Sequence, residues 1–200
     1  MTRQRHSLAT LRLVLFLCGG LALGYSAFVL GRAYFYQRTA EREMGREQAV
    51  PRILAPPRPI ADGMPLAHFE IPRLKMNTIV IEGDTDEDLK LGAGHIPGTA
   101  LPGAIGNVGI AGHRDTVFRP LRNIRPGDLI TLTSTGTAYQ YRVESTEIVA
   151  PQRSDLLNPT QDHRLTLVTC FPFYYVGSAP KRFIVHAREI EEDRWVSVGQ

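Results

Sequence analysis

Cysteine is nearly absent from this sequence. Of 200 residues only Cys18 and Cys170 carry a thiol, and Cys18 lies inside an apolar N-terminal run, so no disulfide is expected and a small disulfide-stapled fold is excluded. The same scarcity, with no two histidines three or four residues apart, removes the usual zinc patterns. Charge of one sign is missing where a polyanion would need it. The formal charge is +3, but seven Arg and three Glu fall within residues 1–50, whereas residues 51–200 hold sixteen Lys or Arg against seventeen Asp or Glu. A near-neutral main domain has no basic stripe, which argues against a nucleic-acid partner. The acidic run "DTDEDLK" spaces Asp84, Asp86 and Asp88 like the start of a calcium loop, but Leu89 and His95 stand where the turn Gly and the closing bidentate Glu belong. It reads instead as a helix start, where carboxylates meet the positive end of the helix dipole. No cofactor or structural metal is expected.

Long apolar runs are limited to one. "LVLFLCGGLALGYSAFVL", residues 13–30, is eighteen uncharged residues, about the length that crosses a bilayer as a helix. Its core is longer than that of a cleaved signal peptide and no small-x-small site follows a polar break, so an uncleaved anchor over 13–35 is expected. Leu17 stands where a lipoprotein signal would carry a small residue, which leaves Cys18 as a membrane-buried thiol. Arg3, Arg5 and Arg12 precede the run and place residues 1–12 in the cytoplasm, with the remainder outside; Arg32 and Arg38 after it weaken that asymmetry. Residues 36–65 are polar and then proline-rich, and read as a spacer that cannot join a central sheet.

From residue 66 to the C-terminus the pattern is all-β. "FEIPRL", "NTIVIE", "GNVGIAGH", "DLITLTS", "YQYRVESTEIVA", "RLTLVTC" and "RFIVHAREI" are short runs rich in Val, Ile, Thr, Tyr and Phe, broken by Gly, Pro and Asn. "TDEDLKLG", "VFRPLRNI" and "RSDLLN" predict short helical turns. A closed barrel or a sandwich fits this count.

Cys170 ends a strand pattern, because Pro172 follows, and Arg182 opens the next one after an eleven-residue connection. Paired antiparallel, the two would face each other about 5 Å apart, a cation beside a sulfur. A buried structural cysteine with a surface arginine is the other reading of these two residues alone. His113 ends the apolar strand "VGIAGH" behind a glycine and is followed by Arg114 and Asp115, so a second strand end delivers an imidazole; a solvated loop histidine is its alternative.

The combined order "GHIPGTALPGAIGNVGIAGHRDTVFRPLRNIRPGD", "TLVTC" and "PKRF" resembles the sortases, membrane-anchored cysteine transpeptidases of the bacterial envelope, over roughly residues 69–187. "TCFPFYYVGSAPKRF" is most similar to the class D branch. The resemblance implies an eight-stranded β-barrel with short helices, behind one transmembrane helix, over a catalytic domain at 66–200. It implies Cys170 as nucleophile, His113 as proton donor and acceptor, and Arg182 as the residue that holds substrate and oxyanion. Thr169 matches the family pattern beside the thiol, and Asp115 is a candidate to orient His113. The implied partners are secreted proteins with a C-terminal LPxTG-like sorting signal, cleaved after Thr, and an envelope amine, for instance one of peptidoglycan, that receives the acyl group. No cofactor is implied, with calcium stimulation left open. Residues 51–68 lack the Asp-Pro-aromatic lid of pilus-building relatives, and Val168 with Thr169 replaces the Ser-His-Gly before the cysteine of L,D-transpeptidases, which rejects that family. A membrane-tethered barrel that binds a partner peptide without turnover is the reading from a different class.

Overall fold

Short β-branched runs of alternating burial curl into a closed sheet. A computed structural model of the chain describes residues 2–48, 61–175 and 177–190. After the N-terminal helix α1 (Thr2–Gln48) come strands β1 (Pro65–Ile71), β2 (Met76–Glu82), β3 (Ala93–His95), β4 (Gly106–Gly112), β5 (Leu129–Ser134), β6 (Thr137–Val149), β7 (His163–Phe171) and β8 (Lys181–Glu189). They close in the order β1-β2-β3-β4-β7-β8-β6-β5, the eight-stranded barrel that the resemblance implies. Closure leaves no free strand edge in the sheet.

The inward set is apolar. Phe69, Val108, Ile110, Ile130, Leu132, Tyr141, Leu165, Leu167, Val185 and Ala187 are buried in one cluster, and each large side chain there contributes roughly 1.5–3 kcal/mol by leaving water. On β7 and β8 this assigns the faces: Leu165, Leu167 and Thr169 point in, as do Phe183, Val185 and Ala187, so Val168 and Cys170, with Arg182 and Ile184, lie on the outer face. Thr135 and Gly136, both at positive φ, make the tight turn between β5 and β6.

Seven strand runs were legible and β3 was not. Its three residues, Ala93 to His95, hold no alternating pattern, and they become a strand only because β2 pairs with them in parallel and β4 antiparallel. His95 is fixed there by Glu82, whose carboxylate lies 2.7 Å from its Nδ1. The acidic run forms a short helix, α2 (Asp86–Leu89), closed by a capping box in which Thr85 accepts from the Asp88 amide and the Asp88 carboxylate accepts from the Thr85 amide. Asp86, Glu87 and Asp88 therefore make up an acidic first turn, the helix start that the sequence predicts.

Helix α1 includes residues 13–35, its stretch Val14–Arg42 is long and apolar enough to cross a membrane, and its apolar side chains, Leu15 and Phe16 among them, are exposed. It does not stop where polar residues begin. Residues 36–48 are mostly good helix formers and carry no proline, so the helix continues to Gln48; the prolines from residue 51 to 59 lie outside the described residues. The extension docks on the barrel. Tyr36 donates to the Gly63 carbonyl at 2.6 Å, Gln37 bridges Leu91 and the Ile79 amide, and Ala40 is buried against Ile79 and Ile81. Gly92 permits this approach, since a Cβ there would stand 2.7 Å from the Gln37 Nε2.

Candidate active site

Two ladders meet at one end of the barrel. The antiparallel pair β7 and β8 sets Cys170 directly opposite Arg182, with Thr169 opposite Phe183. The parallel pair β4 and β7 runs in register from Gly106 with His163 to Gly112 with Thr169. One residue beyond that last pair come His113 and Cys170, so the imidazole and the thiol leave adjacent strands at the same level. Cys170 is half-buried, as are His113 and Arg182.

The inward neighbour holds the junction. Thr169 is 3% exposed and donates its hydroxyl to the Gly112 carbonyl at 2.7 Å. The turn after β4 folds back on His113, whose carbonyl accepts from the Phe118 amide at 3.1 Å. Phe118 is fully buried and its ring packs where a Gly112 side chain would be, for a Cβ there would lie 2.6 Å from it. A glycine at this position thus allows the ring in, and the ring fixes the turn that carries His113.

The electrostatics single out His113 among the domain's histidines. His68, His95, His163 and His186 each have a carboxylate within 4.0 Å, namely Glu70, Glu82, Glu189 and Glu147. Among the described residues His113 has none, and its ring is left for other work. Arg182 is in the same position: its Nη1 donates to the Ala179 and Lys181 carbonyls, and among the described residues no carboxylate neutralises it. A cation held by neutral carbonyls opposite a thiol can receive a developing oxyanion. Asp115 is exposed and has no hydrogen bond or ion pair with His113 among the described residues.

A cleft of about 160 Å³ opens beside the pair on the outer face. Val149, Val168 and Ile184 of the sheet line it with Leu156 and Leu157 of the 3-10 turn Ser154–Leu157, and Arg153 and Arg182 add the charged groups. A mostly apolar lining with two arginines suits a short extended peptide segment. The cleft was not legible in the sequence, because the loop that covers it meets the sheet only in the folded chain.

The Sortase domain family matches residues 69–190. Sortase D of Bacillus subtilis is 34% identical over 123 residues, a match covering 61% of this chain and 62% of that relative. Sortase A of Listeria monocytogenes is 32% identical over 104 residues, covering 50% of this chain and 46% of that one. The chain thus spans less than two thirds of the length of these curated relatives. Among solved structures, a Sortase D5 transpeptidase of Clostridium perfringens superposes with a TM-score of 0.63 at 27% identity, covering 78% of this chain and 98% of that one. With its barrel, its strand order and the matched segment, which includes His113, Cys170 and Arg182, the chain belongs to the sortase family.

Proposed function

We propose that this protein is a membrane-anchored cysteine transpeptidase, with class D character, that cleaves an LPxTG-like sorting signal and transfers the acyl group to an amine of the cell envelope. The observation that carries the reading is the opposition of Cys170 and Arg182 across β7 and β8, at the level where His113 leaves β4. Apolar side chains of the signal would lie in the cleft over Val168 and Ile184, which leads towards the reacting pair.

The Cys170 thiolate attacks the Thr carbonyl carbon and forms a C–S bond, since the thiolate is the nucleophilic form. Charge builds on the carbonyl oxygen, where the Arg182 fork donates to it. As the tetrahedral species collapses, the C–N bond to the next residue breaks and His113, as imidazolium, gives its proton to the departing amine. The acceptor amine then loses a proton to His113, attacks the thioester, forms the new C–N bond and releases Cys170 as thiolate. Protons and electron pairs balance over the cycle, and no cofactor enters. Thr169 supports the site by keeping Gly112, and with it His113, in register. The apolar helix would place residues 1–12 in the cytoplasm and the barrel outside.

The test is ligation by the full chain in detergent micelles, with LPxTG and LPxTA peptides and short amine donors. Wild type should form ligated peptide and Cys170→Ala should form none. Equal partner binding by both proteins without product would support the binding-module reading instead.

A further inference from the structure

The three residues of the proposed reaction arrive on two pieces of chain. His113 stands on the segment after β4, whereas Cys170 and Arg182 flank the connection between β7 and β8. The strand ladder ties the pieces on one side, through Gly112 and Thr169. Beyond the ladder a second tie is present. The Arg114 Nη2 donates to the carbonyls of Tyr175 at 2.8 Å and Gly177 at 2.9 Å, and its guanidinium carbon lies 5.8 Å from the centre of the Tyr175 ring. Eight residues further, in the 3-10 turn Arg119–Asn123, Arg122 stands 5.3 Å from the centre of the Tyr174 ring. The segment that begins at His113 therefore grips two consecutive tyrosines of the connection.

The chemistry of the grip is unusual for a surface arginine. Arg114 is half-buried, and among the described residues its buried Nη1 has no acceptor and no carboxylate faces it. Drawing a cation partly out of water onto neutral carbonyls costs desolvation. That arrangement follows if the two carbonyls and the ring have to be held. Lysine would not replace it, because two carbonyls and an aromatic face are matched by a planar fork and not by a point charge.

We infer that Arg114 is a positioning residue of the peptide-binding step: it fastens the connection between β7 and β8 to the His113 turn, so that the sorting peptide meets a preformed groove. This rests on the transpeptidase reading above. Binding to a preformed site avoids the entropy of ordering a loop at each encounter, so loss of the tie raises KM more than it lowers kcat.

The experiment compares the full chain as wild type, Arg114→Ala and Arg114→Lys in micelles, reading KM and kcat for peptide ligation, the melting temperature, and backbone order at Tyr175 and Gly177 by NMR relaxation. Loss of two charge-assisted hydrogen bonds should raise KM by about tenfold in Arg114→Ala. The kcat should fall less, lysine should restore only part, and the order parameters at Tyr175 and Gly177 should drop while melting shifts little. Unchanged KM, or a fall in rate that tracks melting alone, overturns the inference. Backbone order needs no turnover: should wild type ligate no peptide, the transpeptidase reading fails, and unchanged order parameters in Arg114→Ala still sink the tie on their own.

Discussion

The Thr169 hydroxyl donates to the Gly112 carbonyl where the pairing of β4 with β7 ends, one residue before His113 on one segment and Cys170 on the other. It is the last fixed point before the two reacting groups part. In Thr169→Val the carbonyl loses a buried partner at nearly constant volume, a cost of about 1–3 kcal/mol. Thermal unfolding should report that loss, and the acylation rate should fall with it. Thr169→Ser, which keeps the hydroxyl, should retain most of both.

Gly112 and Phe118 share one space. In Gly112→Ala the new methyl would meet the Phe118 ring at 2.6 Å, and forcing a carbon into a packed site costs roughly 1–3 kcal/mol. Because the ring fixes the turn after His113, ligation should drop along with the melting temperature. Gly112→Ala combined with Phe118→Leu should regain stability relative to the single change, which differential scanning calorimetry would detect.

Asp128 gives the fold a defined acid sensitivity. Its buried carboxylate is bidentate to Arg73 of the β1–β2 turn and accepts from the Arg125 amide. The hydrogen bond from Arg73 is the largest cause that holds the Asp128 carboxyl below its ordinary value. A carboxyl lowered in the folded state stabilises the fold above its unfolded value, about 3.9, and that stabilisation is lost as pH falls through the lower folded value. Arg73→Ala should therefore melt lower than wild type from pH 5 to 8, and the gap should narrow below about pH 4. A gap that stays constant to pH 2.5 would contradict the assignment.

Particular residues show how far the sequence could be read. Cys170 and Arg182 face each other as the strand patterns on either side of Pro172 predict, and seven of eight strands could be drawn from β-branched runs. Strand β3 was hidden because three residues carry no period, and its existence depends on partners on both sides. Helix α1 outran its apolar segment because polarity does not end a helix, whereas proline does. The faces of Tyr36, Gln37 and Ala40 became meaningful only with Ile79, Ile81 and Leu91 against them. The link from Arg114 to Tyr175 spans 61 positions, and nothing local in either segment announces it.

The central claim is that Cys170 forms a thioester with a sorting peptide, assisted by Arg182 and His113. Intact-mass spectrometry of the full chain, mixed with LPxTG or LPxTA peptide and no amine donor, tests it most directly. Wild type should gain the mass of the acyl fragment, Cys170→Ala should gain nothing, and Arg182→Ala should acylate about 10²–10³ times more slowly, as the loss of one oxyanion donor implies. Addition of an amine should remove the adduct and yield ligated peptide. A wild-type protein that stays folded, is alkylated at Cys170, and gains no acyl mass from any such peptide would contradict the account.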